Sequence, residues 1–400
     1  MESNKFNSGT SFSILIAISI AHLLNDAVQS VIPSIYPILK SEFSLSFTQI
    51  GIITFVFQIT SSILQPFVGR YADRHPQPYA LAFGMIVSLT GLILLSTAQS
   101  YLFIILSVAV IGMGSSIFHP ESSRVAQSAA GPRKGLAQSI FQVGGNGGSA
   151  IGPLLAALIV LPHGLGAVLW FAVALIIGVF VVGRIGQWYQ KTLRTCPHTR
   201  NLQTEGLQSP LSAKKVHQAM AILILLTFSK QFYLASMTSY FTFFLIDKFS
   251  LSIRAAQLCL FAFLAASAIG ILAGGYIGDK IGRKKVIWGS ILGAAPFALL
   301  LPYSGLTFTI VLSILIALVI SSAFSSILVF ATELKPQHIG TVAGLFFGLS
   351  FGLGGIGAAF FGWLAEVTDI RFVFQVSTLL PLLGIVAAFL PNLPVSQERR

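Results

Sequence analysis

The pentapeptide EFSLS at residues 42–46 recurs as KFSLS at 248–252, 206 positions later. Two other pairs keep almost the same step. GRYADR at 69–74 matches GYIGDK at 275–280, again at 206, and GLAQSIFQVGGNGGSAIG from Gly135 matches GTVAGLFFGLSFGLGGIG from Gly340 at 205. A near-constant offset of half the 400-residue chain describes two copies of one unit. Composition tells what the unit is made of. Hydrophobic residues make up 54% of the chain and charged residues only 9%, whereas soluble domains are about a quarter charged. A water-soluble globule is excluded.

Twelve apolar segments follow one another, at 13–33, 48–69, 79–97, 101–123, 136–160, 167–187, 218–246, 255–277, 285–302, 307–331, 340–364 and 372–391. Each is long enough to cross a hydrocarbon core of about 30 Å. Such segments must satisfy their own backbone hydrogen bonds, so they are helices, and the alternating pattern of a membrane barrel is absent. The first runs through Asn25 and Asp26 to Pro33 without a clear cleavage site, too long for a signal peptide, and is expected to stay as a helix. The reading is an all-α membrane protein of twelve transmembrane helices in two six-helix bundles. They would be related by an axis along the membrane normal, with a substrate site between them near the midplane. The expected division is an N-terminal bundle at 1–187, a polar linker at 188–217 and a C-terminal bundle at 218–400.

The net charge of +12 invites a nucleic-acid reading, but its distribution argues otherwise. With the N-terminus and every even-numbered connection on one side, that side holds nineteen Lys and Arg residues. The other holds four (Lys40, Lys248, Arg254 and Arg371), and Lys230 falls inside a segment. This bias puts both termini in the cytoplasm. Cys196 and Cys259 suggest neither a disulfide framework nor a metal site. No HExxH, GxSxG or phosphate loop is present, so an enzyme is not expected, and neither is a cofactor, a metal or a nucleic-acid partner. The expected partners are the lipid bilayer, protons and a small-molecule substrate, and the protein is expected to be a monomer.

Ionisable residues inside apolar segments are few, and each is costly, at about 2.5–3.5 kcal/mol near the bilayer centre on insertion scales. They therefore mark pathways. His22 and Asp26 stand four apart on one helical face, with Gln29 three further on. Carboxylate and imidazole are the groups that exchange protons near neutrality when their surroundings change. In the fourth segment, IFHPESSRVA at 117–126 gathers His119, Glu121 and Arg124 around Pro120. Glu121 and Arg124 can pair at i,i+3, while His119 points about 200° away from Glu121 on a regular helix. Asp26, Glu121, His22 and His119 are the candidates for proton coupling. In the seventh segment Lys230 aligns with His22 at an offset of 208, which suggests two cationic groups facing each other across a central cavity. Tyr233 lies one turn beyond Lys230, and Gln138, Gln142 and Asn146 form a polar stripe on the fifth segment. With Arg124, these are the candidates for substrate binding.

G-x-x-x-D-[RK] after the second and eighth segments resembles the signature loop of the major facilitator superfamily. The second copy, from Gly275 through Asp279 and Gly282 to Arg283, matches nearly completely; in the first, Pro76 and Gln77 stand where the family has Gly and Arg. The resemblance implies gating roles for Asp73, Arg74, Asp279 and Arg283. Gly148, Gly152 and Pro153 resemble the helix-packing motif of the superfamily's proton-coupled antiporters, with Ala156 in place of its last glycine, and Val108 occupies the position of the exporters' usual arginine. SFSILIAISIAHLLND, GSSIFHPESSRVA and GLAQSIFQVGGN are similar to the fosmidomycin resistance proteins, a branch of the superfamily, along essentially the whole chain. That similarity implies a drug exporter conferring antibiotic resistance in the bacterial plasma (inner) membrane. It would exchange an inward-moving proton for an outward-moving phosphonate. An importer or exporter of a sugar or metabolite anion is the alternative.

Overall fold

The computed structural model describes residues 10–130, 134–195, 211–335 and 339–392. Among these, eleven helices are long and apolar enough to cross a membrane, and a shorter apolar helix, Ala80–Ser96, makes twelve. In chain order they are α1 (Phe12–Ser34), α2 (Phe47–Arg74), α3 (Ala80–Ser96), α4 (Tyr101–Ala129), α5 (Lys134–Leu155) and α6 (Ala172–Thr195) in the first half. The second half holds α7 (Ala213–Phe249), α8 (Ile253–Ile281), α9 (Arg283–Leu300), α10 (Leu306–Ser321, continued by Ala323–Leu334), α11 (Ile339–Val367) and α12 (Ile370–Ser377). The protein is a multi-pass, all-helical membrane protein of twelve spans in a six-plus-six arrangement.

The helices depart from the apolar segments in instructive places. A short helix, Tyr36–Glu42, follows α1 where the sequence suggested only a connection. α5 passes into a π-helical turn at Ala156–Val160 just after Pro153, whose missing N–H disturbs the regular ladder. α6 is entered through a 3-10 turn at Leu165–Phe171, and α12 continues as one at Leu380–Phe389.

The repeated pentapeptide has a structural cause. Ser44 and Ser250 are the two non-glycine residues with positive φ among the described residues, at 50° and 54°. Each is followed two residues later by a serine that caps the next helix. Ser46 accepts a hydrogen bond from the Gln49 N–H and completes a capping box, and Ser252 accepts one from the Ala255 N–H. The same left-handed elbow thus leads into α2 and into α8. The signature loop supplies another fixed turn. Gly282, at φ 94°, ends α8 and begins α9, a conformation that glycine adopts without a side-chain penalty.

Within each half, glycines bring helix backbones together. A Cβ on Gly148 would meet the α1 backbone at Leu23 and Ala27, and one on Gly152 would meet Ser30. Gly357, 205 positions after Gly152, packs on Phe232 and Ala235 of α7 in the same way. Between the halves, α11 lies along α2. A Cβ on Gly51 would come within 2.6 Å of the Ala358 carbonyl oxygen, one on Gly362 within 2.5 Å of the Phe47 carbonyl oxygen, and one on Gly355 within 2.8 Å of Gln58 Cβ. The two halves are fastened at the end of the molecule away from the chain termini. There the Phe47 N–H donates to a Glu366 carboxylate oxygen at 2.8 Å, and Gln257 Nε2 donates to the Ser34 carbonyl oxygen at 2.9 Å. The Phe47 ring stands edge-on to Phe243 at 5.2 Å.

Candidate functional site

Three ionisable side chains converge in the first half. His22 Nε2 lies 3.2 Å from Asp26 Oδ2, along one turn of α1. His119 Nε2, from α4, lies 3.3 Å from Asp26 Oδ1. Asp26 therefore offers one carboxylate oxygen to each imidazole, and Asn25 Nδ2 donates to Oδ1 at 3.0 Å. The other ring nitrogens are also engaged. His22 Nδ1 is 2.9 Å from the Phe141 carbonyl oxygen of α5, and its ring stacks on the Phe141 ring at 4.1 Å. His119 Nδ1 sits 3.0 Å from the Ser115 carbonyl oxygen and 3.1 Å from Ser115 Oγ.

Local sequence explains how the cluster is housed. The His22 ring occupies space that a side chain at Gly145 would fill, since a Cβ there would clash with the imidazole. The polar environment continues outward from Ser115. Its hydroxyl donates to Gln29 Oε1 at 3.1 Å and accepts from Ser61 Oγ of α2 at 3.1 Å. The ligand atoms of the three residues lie within 4.8 Å of one another. Each nitrogen–oxygen pair stands at a distance that a shared proton bridges.

Glu121 is placed elsewhere. It is buried, and Arg124 Nε lies 3.7 Å from its Oε1, the i,i+3 pairing that the spacing suggested. The expectation that His22 would face the opposite half alongside Lys230 is corrected. His22 turns toward α4 and α5 within its own half, because Gly145 leaves room there and Phe141 offers both a carbonyl and a ring.

Lys230 in the second half is a different kind of site. It is only 4% exposed, and no carboxylate pairs with it among the described residues. Its Nζ stands 4.9 Å above the Phe324 ring of α10. A cation–π contact of this kind contributes about 0.5–2 kcal/mol, less than the cost of burying an unpaired cation. Tyr233, one turn on, is 1% exposed, and its Oη lacks a protein partner. Asn146 Nδ2 on α5, Gln58 Oε1 and Gln65 Nε2 on α2, and Ser350 Oγ on α11 are likewise buried without a protein partner. Such groups cost about 1–3 kcal/mol each unless water or a ligand satisfies them. Sequence reasoning had singled out Asn146 and Tyr233 and missed Gln58, Gln65 and Ser350. Lone Gln and Ser residues within apolar runs were the signal available.

Arg283, at the start of α9, reaches Glu333 Oε1 on α10 at 3.4 Å. Together with Lys284, Lys285, Trp288 and Phe330 the pair lines a cavity at the end of the molecule that carries the termini. The side chains of Asp73, Arg74, Asp279 and Gln138, and Cys196, lie outside the described residues. Gln142 is half-buried on α5, one turn before Asn146.

The sequence profile described as Major Facilitator Superfamily matches residues 18–355 and 225–400. Over 383 residues the chain is 54% identical to the fosmidomycin resistance protein of Escherichia coli strain K12, covering 96% of this chain and 94% of that one. It is 42% identical, with the same coverage, to an uncharacterised MFS-type transporter, YfnC, of Bacillus subtilis strain 168. Among solved structures, a bacterial homologue of the human lysosomal transporter Spinster, in an inward-facing and occupied conformation, superposes with a TM-score of 0.74 at 16% identity. That match covers 95% of this chain and 97% of the other. A tandem six-helix repeat, a profile spanning both copies and a relative matched nearly end to end agree: the chain belongs to the major facilitator superfamily, in the branch that includes the Escherichia coli fosmidomycin resistance protein.

Proposed function

We propose that the protein is a proton-coupled antiporter that exports a small anionic drug of the fosmidomycin type by alternating access. The observation that carries this reading is Lys230. A buried ammonium without a carboxylate partner among the described residues is matched by an anion arriving from solution, and lysine serves phosphate-like groups as a point charge. Tyr233 and Asn146 supply hydrogen-bonding groups that the protein leaves unused, and Gln138 and Gln142 extend that stripe. The 54% identity to a fosmidomycin resistance protein supports a phosphonate as the anion.

The second half of the proposal is the proton. Asp26, His22 and His119 form a unit whose charge follows the number of protons it holds, and it sits in the opposite half from Lys230. A conformation that favours the protonated unit and another that favours the deprotonated one are enough to couple proton movement to the rocking of the halves. Glu121 and Arg124 form a held pair beside this unit on the same helix, with Glu121 the reserve carboxylate for coupling and Arg124 available to an anion when the pair opens. Asp73, Arg74, Asp279 and Arg283 gate the cytoplasmic face, on the reading that both termini are cytoplasmic and that the protein works as a monomer in the bacterial inner membrane. The bundles at 1–187 and 218–400, joined by the 188–217 connection, rock about the central site.

Everted vesicles carrying a luminal pH dye test the whole reading. Fosmidomycin added outside acidified vesicles is expected to alkalinise the lumen, and no response from functional vesicles sinks the proposal. A sugar acid offers Lys230 an anionic group as well. If a hexuronate elicits the response and fosmidomycin does not, the metabolite-anion reading takes its place.

A further inference from the structure

The two histidines that flank Asp26 are not equivalent, and the difference lies at their far nitrogens. His22 Nδ1 faces the carbonyl oxygen of Phe141. A carbonyl only accepts, so this nitrogen must keep its proton. With Nδ1 protonated, His22 Nε2 can hydrogen-bond the ionised Asp26 carboxylate only as the doubly protonated ring. Neutral His22 would aim a lone pair at a carboxylate 3.2 Å away. The stacked Phe141 ring and the neighbouring Gly145 hold the imidazole where it is, and its side chain is 4% exposed.

His119 Nδ1 has a choice. It lies 3.0 Å from the Ser115 carbonyl oxygen and 3.1 Å from the Ser115 hydroxyl oxygen. The first partner accepts, and the second can also donate. As an imidazolium, His119 donates Nδ1–H to the carbonyl and Nε2–H to Asp26. When the Nδ1 proton passes to water, the ring becomes neutral and keeps Nε2–H on Asp26. The Ser115 hydroxyl then turns from Gln29 Oε1 to donate to the vacated Nδ1. One proton leaves, the ring goes from +1 to neutral, and a small tilt carries Nδ1 from the carbonyl oxygen to the Ser115 hydroxyl while Nε2–H stays on Asp26. The Ser61 hydroxyl continues to donate to Ser115 Oγ throughout. His119 is also the more accessible ring, at 16% exposure.

We infer that His119 is the member of the cluster that takes up and releases the transported proton, with Ser115 as the positioning residue that lets it do so without letting go of Asp26. His22 is the fixed member. This rests on the proton-coupled reading above and refines it. The groups facing His119 are consistent with an exchange confined to this ring. α1 presents Asp26 and the His22 ring, at 5.2 Å between centroids. α11 presents the apolar Phe351 ring at 6.1 Å, and α2 reaches it through Ser61 and Ser115. On its own helix, Glu121 and Arg124 are directed at each other.

Imidazole 15N spectra of the full-length protein, labelled at histidine and held in lipid nanodiscs, read the tautomer directly; His119→Gln and His22→Gln assign the signals. On raising the pH, wild-type His119 is expected to lose the Nδ1 proton and retain the Nε2 proton. In Ser115→Ala no hydroxyl meets a vacated Nδ1, so the ring should still hold both protons at a pH where the wild-type ring has lost Nδ1–H, and Ser115→Thr should restore the wild-type behaviour. Loss of the Nδ1 proton at the same pH in wild type and Ser115→Ala overturns the inference, as does loss of a His22 proton while His119 stays doubly protonated.

Transport supplies the second readout. Fosmidomycin-dependent proton flux in proteoliposomes should fall about tenfold in Ser115→Ala, the scale of one lost hydrogen bond, and recover in Ser115→Thr. Unchanged flux in Ser115→Ala overturns the role of Ser115 while leaving antiport intact. Absence of flux in wild type overturns antiport itself, and the spectra then decide the tautomer exchange alone.

Discussion

His119 Nε2 lies 3.3 Å from Asp26 Oδ1, and this contact joins α4 to α1 in the interior of the first half. On the proton-coupled reading, this contact sets the charge of the interior by the presence or absence of a proton. Removing the carboxylate removes the reason for both imidazoles to converge. Asp26→Asn is expected to abolish drug-dependent proton flux, by about a hundredfold or more, at normal membrane abundance. Vesicle pH measurements with parallel immunoblots check this, and retained coupling in Asp26→Asn would reject the cluster.

Gly145 should be as sensitive as the cluster although it carries no side chain. Its methyl replacement would collide with the His22 ring. Gly145→Ala is expected to reduce drug resistance about tenfold through a displaced imidazole. Gly147→Ala is the matched control, because its nearest neighbour is Leu23 Cδ1 at an ordinary 3.8 Å. Minimum inhibitory concentrations in an efflux-deficient host compare the two, and equal effects would contradict the packing argument.

Lys230 separates stability from binding. Replacing a buried unpaired cation by an apolar side chain of similar length is often neutral or stabilising. Lys230→Met should therefore melt at the same temperature as wild type or higher without drug, yet bind fosmidomycin about tenfold to a hundredfold more weakly. Thermal-shift titrations give both numbers at once. Undiminished drug-induced stabilisation in the variant would exclude Lys230 from the anion site.

Closure at the far end depends on Glu366. Its carboxylate accepts from the N–H of Phe47, the first residue of α2, whose backbone donor has no partner inside its own helix. Glu366→Gln weakens that contact and should raise the population open at this end by about threefold, as expected of an exposed charge at a helix N-terminus. Distance distributions between spin labels placed on the two halves at that end measure the change, and unaltered distances would show that Glu366 bears none of the closure.

Much of the fold was written in composition and repetition. Twelve apolar runs can only be spanning helices, and the recurrence of FSLS follows from a shared need for a left-handed serine and a capping serine. Within the site, His22 and Asp26 were legible because four residues is one helical turn. His119 could be named but not attached, since its bond to Asp26 joins helices that are far apart in sequence, and Glu121 therefore stood beside it as an equal candidate. Gly152 and Gly357 align as copies and each packs on the first helix of its own half, whereas Gly355, two residues before Gly357, packs across the halves on α2. Sequence alignment of the two copies carries no information about that difference.

The contact of α2 with α11 has a mechanical consequence. Gly51, Gly355 and Gly362 present bare backbone where most helix pairs interlock side chains. Interlocked surfaces resist displacement because rotamers must change before one ridge clears the next. Bare backbones impose no such steps, so the two surfaces can turn on each other in small increments. The glycine seam is a bearing: smooth along its length, and clamped at one end by Glu366 and Phe47.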